Sequence, residues 1–371
     1  MPITEAQALE ALSRVHDPEL HRPLTELGMI KGLTVAPDFA VALEVELTSP
    51  ACPLKERIGG DVEAALRAAG ATSVAIRWSA RVAARQLAED DPLPEVKNII
   101  LVMSGKGGVG KSTVAANLTM ALARSGCRVG LLDADIYGPS VPTMFGIMGR
   151  PSSTDGKLID PLERFGVKLM SIGFLLEDEK SAVVWRGPML HGALLQLVKD
   201  VHWGALDYLI LDMPPGTGDV ALTLSQRVRA TGAVIVTTPQ EVALQDVYKS
   251  VSMCKKVGIP VLGVVENESY FLCDGCEKRH EIFGSGGGQK IADYAEAPLL
   301  GQLPLDPSVR AWGDGGTPVV QAAPGSAIAR AFVAVAEKLA DRVSVQNLGS
   351  GQGLVIDRSG GSGPLHLPIA K

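Results

Sequence analysis

The sequence is poor in aromatic residues, has no excess of basic charge and contains no long apolar run. Phe, Trp and Tyr make up 4% of the 371 residues, and 35 Lys and Arg stand against 41 Asp and Glu, a net charge of −6. Nucleic-acid binding usually requires a basic face, and a membrane helix requires about 20 consecutive apolar residues. We therefore expect neither nucleic acid nor a membrane as a partner.

Two further features are missing. Residues 1–5 show neither the basic nor the apolar region of a signal peptide. Five cysteines in a chain of this length do not make a disulfide framework. Both observations favour a cytoplasmic protein.

What the chain has in quantity is glycine (41 residues), proline (24) and hydrophobic residues (46%). At about 150 residues per domain, the length predicts two domains. Residues 1–85 form the first, a small α+β domain with helices over 5–15 and 54–69 and strands over 30–35, 40–47 and 74–78. The acidic, proline-bearing segment 86–96 is the predicted linker.

The pattern changes at residue 97, where short apolar strands begin to alternate with helices. Strands are predicted over 99–103, 129–132, 208–211, 233–237 and 261–265, and helices over 112–124 and 242–256. Apolar strands without polar alternation indicate a parallel sheet with helices on both faces. The fold class is therefore an α/β P-loop domain over 97–342, followed by a flexible Gly/Ser-rich tail over 343–371.

One segment matches the phosphate-binding pattern G-x-x-x-x-G-K-[ST] between a predicted strand and a predicted helix. It comprises Gly105, Lys106, Gly107, Gly108, Val109, Gly110, Lys111, Ser112 and Thr113. Glycines let backbone N–H groups turn toward phosphates, and the helix N-terminus adds partial positive charge. We expect Lys111 on the β- and γ-phosphates of ATP, the Ser112 hydroxyl on Mg²⁺ and Thr113 near the α-phosphate.

Lys106 is a second lysine, placed directly after the first glycine. With it the segment resembles the deviant phosphate loop of the MinD, ParA, ArsA and nitrogenase iron-protein class. That resemblance implies that Lys106 reaches the nucleotide of a partner subunit, as an arginine finger does. A solvated loop lysine is the alternative.

Carboxylates follow two of the predicted strands. Asp133 and Asp135 leave the second strand on the same side, and Asp212 ends the strand 208–211. By resemblance, Asp133 contacts hydrated Mg²⁺, Asp135 orients the attacking water and Asp212 supports the Mg²⁺ site. One of the first two could instead cap the following turn. The loop 216–219 is predicted to be the switch that senses the γ-phosphate.

Adenine recognition is predicted from two segments. Asn267 follows the strand 261–265, where this class places a base-reading asparagine, and 301–306, including Pro304, would close over the ring. Ordinary turn chemistry is the alternative for both.

Cys273 and Cys276 form a C-x-x-C pair, whereas a tetrahedral zinc or an iron–sulfur cluster usually needs four ligands. A twofold dimer would supply two thiolates from each subunit, and the proposed role of Lys106 requires the same dimer. Cys127 and Cys254 are predicted to be small core residues.

Together these motifs, with 133–140, 212–219 and 280–288, resemble the Mrp/ApbC-type iron–sulfur cluster carrier ATPases over 97–339. Residues 17–20 and 48–53 resemble the MIP18-like domain often fused to them. The resemblance implies a homodimer with slow, Mg²⁺-dependent ATP hydrolysis. The dimer would hold a [4Fe–4S] cluster between subunits and pass it to apo iron–sulfur proteins, alongside cluster-assembly factors. One departure is Glu268, where the family commonly has methionine.

Several alternatives stay open. The cysteine pair could bind zinc together with His280, or act as a redox dithiol. Cys52, in a proline-flanked turn before a helix, is either a stabilised thiolate or a core residue; His191 and His202 are predicted to be structural. Rival functions are a MinD/ParA-type positioning ATPase, a zinc-binding ATPase and an electron donor like the nitrogenase iron protein.

Overall fold

The computed structural model describes residues 3–136, 138–154, 156–175, 187–216, 222, 224, 228–273 and 275–349. Within these ranges no helix has both the length and the apolar composition needed to cross a membrane.

The N-terminal domain packs helices on a three-stranded sheet. Its elements are α1 (Glu5–Leu12), β1 (Ile30–Val35), β2 (Ala40–Leu47), α2 (Lys55–Ala68) and β3 (Ser73–Ala80). β2 lies between β1, which is antiparallel to it, and β3, which is parallel. Val41, Leu43, Val45 and Leu47 alternate along β2 and are buried with Ile58, Val62 and Leu66 of α2. Strand and helix periodicities thus meet in one core.

The larger domain contains the remaining elements. They are β4 (Ile99–Ser104), α3 (Lys111–Arg124), β5 (Val129–Asp133), α4 (Val141–Phe145), β6 (Leu162–Arg164), β7 (Val167–Ser171), α5 (Gly187–Lys199), β8 (Tyr208–Asp212), β9 (Gly232–Thr237), α6 (Glu241–Val257), β10 (Val261–Leu272), β11 (Arg279–His280), α7 (Gly287–Ala295), β12 (Leu299–Pro304), α8 (Pro307–Asp314), α9 (Val319–Ala322) and α10 (Ala327–Gly349).

These strands form one nine-stranded sheet in the order β11-β10-β9-β4-β8-β5-β7-β6, with β12 also paired to β10. Among the described strands of this sheet, only β6 and β11 run antiparallel to their neighbours. Every residue of β4, β5, β8 and β9 is buried, as a sheet covered on both faces requires. The predicted fold class is confirmed.

Strand register brings the predicted site residues to one edge of the sheet. Asp133 at the end of β5 pairs with Asp212 at the end of β8, and Asp212 also pairs with Val102 of β4. Because the carboxyl ends of parallel strands coincide, the loop after β4 and both aspartates lie together.

The structure corrects three predicted boundaries. β10 continues to Leu272 instead of ending at residue 265, so Asn267 lies within the strand. Residues 301–304 belong to β12, so they form a strand instead of a closing loop. α10 continues to Gly349, past the predicted start of the tail at 343, because Val343 and Ser344 are buried against the core; the rest of that tail lies outside the described residues.

The two domains are joined by buried contacts. In the predicted linker, Leu93 and Val96 belong to the core of the larger domain. The guanidinium of Arg85, the residue before the linker, bonds to the Asp91 carboxylate and donates to the Leu93 carbonyl at 2.9 Å. From α10, the Asn347 amide donates to the Ala83 carbonyl at 3.0 Å. The segment 86–96 is therefore packed on the larger domain.

Candidate functional site

The loop between β4 and α3 needs glycine for two separate reasons. Gly108 and Gly110 have φ values of +79° and +77°, a conformation that L-residues rarely adopt. Gly105 has ordinary φ, but a Cβ there would lie 2.3 Å from the Val247 backbone nitrogen. The loop thus packs closely on α6 while its exposed tip, Gly107 and Gly108, faces solvent.

Lys111, the first residue of α3, lies among carboxylates. Only 6% of it is exposed; its Nζ forms an ion pair with Asp212 and lies 4.0 Å from Asp135 Oδ2. The same Nζ donates to the Ser112 hydroxyl at 3.3 Å. The ammonium group is therefore positioned where the loop closes, as a phosphate-binding lysine should be.

Asp133 makes four hydrogen bonds to protein groups. Its Oδ1 accepts from the Asp135 backbone N–H at 3.1 Å, and its Oδ2 accepts from the Ser171 hydroxyl at 3.1 Å. Oδ2 also accepts from the backbone N–H groups of Ser140 and Val141, at 3.0 and 3.1 Å. The side chain therefore caps the turn that leads into α4, which is the alternative role predicted for one of the two aspartates.

Burial changes the pKa of both Asp133 and Asp212. Removal from water raises the pKa of Asp133, and the nearby Asp212 carboxylate raises it further. Burial also raises the pKa of Asp212, while the Lys111 ammonium opposes that rise. The ion pair between the two side chains is direct, so the Lys111 ammonium offsets part of the cost of burying the Asp212 carboxylate.

The residues present fit a magnesium ion, which prefers oxygen ligands. Asp212 Oδ2 is buried and has no hydrogen-bond partner among the described residues. The Ser112 hydroxyl lies beside the Asp212 carboxylate, and Asp135 is partly exposed at the same edge. These oxygens are the groups that would hold the ion and its water molecules.

A cavity of about 720 Å³ opens beside the phosphate loop. Gly110 and Thr113 of the phosphate-binding segment line it, and Asn267, Glu268 and Pro304 also contribute. The Asn267 amide donates to the Val109 carbonyl at 3.0 Å, which ties β10 to the loop. The volume is suitable for a nucleoside next to the phosphate cradle.

The cysteine pair lies on a hairpin at the far end of β10. Phe271 and Leu272 pair with His280 and Arg279 of β11, and the Cys273 N–H donates to the Lys278 carbonyl at 3.0 Å. Cys273 is half-buried and Cys276 is exposed. Across the described residues, no group of three or more His, Cys, Asp and Glu side chains could hold a metal ion. His280 is therefore not gathered with the pair into such a group in this structure.

The structure also shows where Lys106, the predicted switch loop and His202 lie. Lys106 is half-buried, and its carbonyl accepts from the Ser104 hydroxyl at 2.9 Å. In the predicted switch, the Gly216 N–H donates to the Ser104 carbonyl at 2.9 Å, whereas 217–219 lie outside the described residues. His202 is exposed and lies 3.6 Å from Asp160; the side chain of His191 is outside the described part.

For the cysteines outside the pair, the structure separates the alternatives. Cys127 and Cys254 are buried in the core, as predicted. Burial raises the pKa of the half-buried Cys52 thiol to about 12, which favours the core-residue interpretation over the stabilised thiolate. The nearby carboxylates Asp341, Asp17 and Glu19 raise that pKa further.

Sequence reasoning missed Ser171. It ends β7 and donates to Asp133; no motif marks it, since only strand register places it there.

Asp306 lies in the segment 301–306 that was predicted to close over the adenine ring, but its capping role was not predicted. It caps α8 at the cavity by accepting from the Ser308 N–H at 2.8 Å, and the Asp-Pro-Ser sequence is a recognisable capping signal.

A parallel sheet, a glycine loop opening a helix, and carboxylates at adjacent strand ends define a P-loop NTPase with two lysines in its loop. Within that class, a family model described as the NUBPL iron-transfer P-loop NTPases matches residues 95–340. A second model, described as an iron–sulfur cluster assembly protein, matches residues 5–78. The chain belongs to the iron-transfer P-loop NTPase family.

Relatives support this assignment over nearly the whole chain. An iron–sulfur cluster carrier protein of Deinococcus radiodurans is 51% identical over 342 residues, covering 92% of this chain and 96% of that protein. The carrier protein of Escherichia coli K12 is 45% identical over 349 residues, 92% of each chain.

Solved structures agree on the nucleotide-binding fold. A nucleotide-binding protein of Archaeoglobus fulgidus in complex with ADP is 39% identical, with a TM-score of 0.55, and covers 62% of this chain and 92% of that one. The cell-division ATPase MinD of Pyrococcus furiosus is 28% identical, with a TM-score of 0.50, covering 65% of this chain and 98% of that one.

Proposed function

We propose that this chain is an ATP-hydrolysing carrier that holds an iron–sulfur cluster between two copies and delivers it to apo-proteins in the cytoplasm. The observation that carries the proposal is the path of β10. Asn267 of this strand bonds to the phosphate loop, and the same strand ends at Leu272, directly before Cys273. One rigid element thus connects the nucleotide site with the cysteine hairpin.

The nucleotide half of the proposal uses the groups at the strand ends. Lys111 would move from Asp212 toward the β- and γ-phosphates, leaving the Asp212 carboxylate to orient ligands of Mg²⁺. Mg²⁺ would neutralise charge on the phosphate oxygens. Asp135 would hold the attacking water, and Asp133, whose oxygens already accept four hydrogen bonds, would act on the hydrated ion only through water.

Lys106 is the proposed contribution of the second copy. It lies next to the exposed loop tip, so it can reach a nucleotide across a face-to-face dimer. A cation supplied in trans stabilises charge that develops on the γ-phosphoryl group and accelerates hydrolysis strongly. The isolated chain should therefore hydrolyse ATP slowly.

The cluster-binding part of the proposal requires two chains, each of which supplies half of the ligands. Each chain offers two thiols on an accessible hairpin, which is half the ligand number of a four-iron, four-sulfur cluster. The exposed apolar residues Leu272, Ile282 and Phe283 lie close to this hairpin in sequence and would be covered in a dimer. Hydrolysis would change the phosphate-loop contact of β10 and loosen the cluster for transfer.

Anaerobic reconstitution with iron and sulfide tests the proposal. The unsubstituted chain should gain a brown absorbing species and activate the apo form of a cluster-dependent enzyme. Cys273→Ala and Cys276→Ala should each lose both properties, while the matched control Cys52→Ala retains them. A Cys273→Ala protein that holds as much iron and sulfide as the unsubstituted chain would refute the proposal.

A further inference from the structure

Glu268 lies on a bulge in the strand that borders the nucleotide cavity. β10 pairs with β12 at Glu266–Gln302 and again at Tyr270–Pro304, so three residues of β10 lie opposite a single residue of β12. Bulges next to active sites commonly redirect a side chain. Glu268 occupies the middle of this one.

The backbone of Glu268 is held in an unusual conformation. Its φ is +51°, in the left-handed region that costs a non-glycine residue of order 1 kcal/mol or more. Both neighbours fix the bulge: the Asn267 amide donates to the Val109 carbonyl at 3.0 Å, and the Ser269 hydroxyl donates to Glu266 Oε1 at 2.6 Å. The surrounding structure therefore maintains the strain and directs Glu268 into the cavity wall.

The Glu268 carboxyl is an acidic group of this wall that the described protein groups leave unused; the Ser140 hydroxyl, which also lines the cavity, is a neutral group there without a hydrogen-bond partner among the described residues. It is half-buried and makes no hydrogen bond or ion pair with the described part of the chain. Burial raises its pKa, with no contribution from a neighbouring charge. By contrast, Asn117 in the same wall donates to the Thr113 carbonyl at 2.9 Å and accepts from the Val320 N–H at 3.1 Å.

The other residues of the cavity wall indicate which part of a bound nucleotide would lie next to the Glu268 carboxyl. Met144, Val309, Ile328 and Phe332, none of them part of the phosphate loop, also line the cavity and provide apolar surface for a planar base. Phosphates would be repelled by a carboxylate, and they belong at Gly110 and Thr113. The complementary group is a hydrogen-bond donor on the nucleoside.

We propose that Glu268 selects the base of the bound nucleotide by accepting a hydrogen bond from the exocyclic 6-amino group of adenine. This role rests on the proposed nucleotide-binding function. A 6-oxo purine presents a carbonyl oxygen at the same position, so it would face the Glu268 carboxyl oxygen without a hydrogen bond. A site built around such a contact discriminates against the analogue that lacks the donor.

Binding of ATP and ITP to the full chain tests this proposal, because these nucleotides share ribose and phosphates and differ at position 6. The unsubstituted protein should prefer ATP by about tenfold or more, as expected for one hydrogen bond to a charged group. Glu268→Met removes the acceptor at similar length and should reduce the preference to about unity. Glu268→Gln should also reduce it, because a rotated amide can donate to the 6-oxo group.

A further pair of nucleotides distinguishes a contact with the base from a contact with the ribose. The ratio of ATP to 2′-deoxy-ATP affinity should be unchanged in Glu268→Met; a loss confined to that ratio would assign Glu268 to the ribose and overturn base selection. Equal affinity of the unsubstituted protein for ATP and ITP would overturn the proposal while leaving the nucleotide site intact. Binding of neither nucleotide would instead overturn the proposed function itself.

Discussion

Lys111 illustrates how far the site depends on single side chains. Its ammonium group is the nearest positive charge to the fully buried Asp212, and it also opposes the rise in the pKa of Asp133. One lysine therefore stabilises buried carboxylates before any phosphate binds. Its role in folding and its role in binding have to be separated by experiment.

Lys111→Ala should abolish ATP binding and also destabilise the chain by about 3–5 kcal/mol, because it leaves a buried carboxylate unpaired. Lys106→Ala is the control: it should bind ATP normally but hydrolyse it about 10³-fold more slowly or worse, given the size of arginine-finger effects. Calorimetric titration measures the ATP affinity, thermal unfolding measures the stability, and phosphate release measures the rate of hydrolysis. Unchanged ATP affinity in Lys111→Ala would contradict the assignment of the loop.

Gly105 and Gly107, near the start of the loop, provide a matched pair of substitutions that tests how the loop packs. Gly105→Ala places a methyl group 2.3 Å from the Val247 nitrogen and should cost about 1–3 kcal/mol of stability. Gly107→Ala meets nothing within 4 Å and has no positive φ, so its free energy of unfolding should stay within about 0.5 kcal/mol of the unsubstituted chain. Chemical denaturation compares them, and equal losses would mean that the loop is not packed as described.

At the scale of elements, β10 is the strand that links the nucleotide site with the cysteine hairpin. Its buried Glu266 accepts from the Gly288 N–H at the start of α7, from the Ser269 hydroxyl at 2.6 Å and from the Gln302 amide at 2.8 Å. One carboxylate thus joins the bulge, β12 and α7. Its loss should affect both the cavity and the hairpin.

Glu266→Ala should lower the free energy of unfolding by about 2–4 kcal/mol, since it leaves several buried donors without acceptors. Glu281→Ala, at an exposed position after β11, is the matched control and should be nearly neutral. Urea denaturation distinguishes them. A neutral Glu266→Ala would show that the three bonds do not support β10.

The sequence predicted elements well where one physical signal was sufficient. The apolar runs of β4, β5, β8 and β9 and the glycine loop identified the parallel sheet and its phosphate cradle. The end of β10 was missed because its polar residues Glu266, Asn267 and Ser269 look like a loop, yet they are buried by contacts with distant residues. Ser171 was missed for the same reason, since strand register is a long-range property.

At the scale of the whole molecule, a carboxyl pair joins the two domains. Glu19 of the N-terminal domain and Asp341 of α10 lie close enough to influence each other's pKa, and Asp17 and Glu337 add negative charge nearby. Asp341 is 4% exposed, and burial, followed by the charge of Glu19, raises its pKa to about 8. The contact is favourable when one of the two carboxyls carries a proton.

This pair predicts a dependence of stability on pH. Because the folded-state pKa of Asp341 lies above its ordinary value of about 3.9, the folded chain binds more protons than the unfolded one between these values. Stability from this group is present at low pH and is lost as pH rises from about 4 through about 8.

Asp341→Asn should therefore raise the thermal midpoint at pH 8.5, with a gain that diminishes toward pH 5.5. Asp61→Asn, at an exposed position on α2, is the control and should show no such pH dependence. Calorimetry at both pH values provides the measurement. A gain of equal size at both values would show that the Glu19–Asp341 contact does not titrate.

The central claim is that two chains share one cluster, and the mass of the loaded species under anaerobic, non-denaturing conditions tests it most directly. A shared cluster predicts a species of two chains carrying about four irons and four sulfides, which dissociates to metal-free single chains when Cys276 is replaced by alanine. A single chain that retains the whole cluster would contradict it.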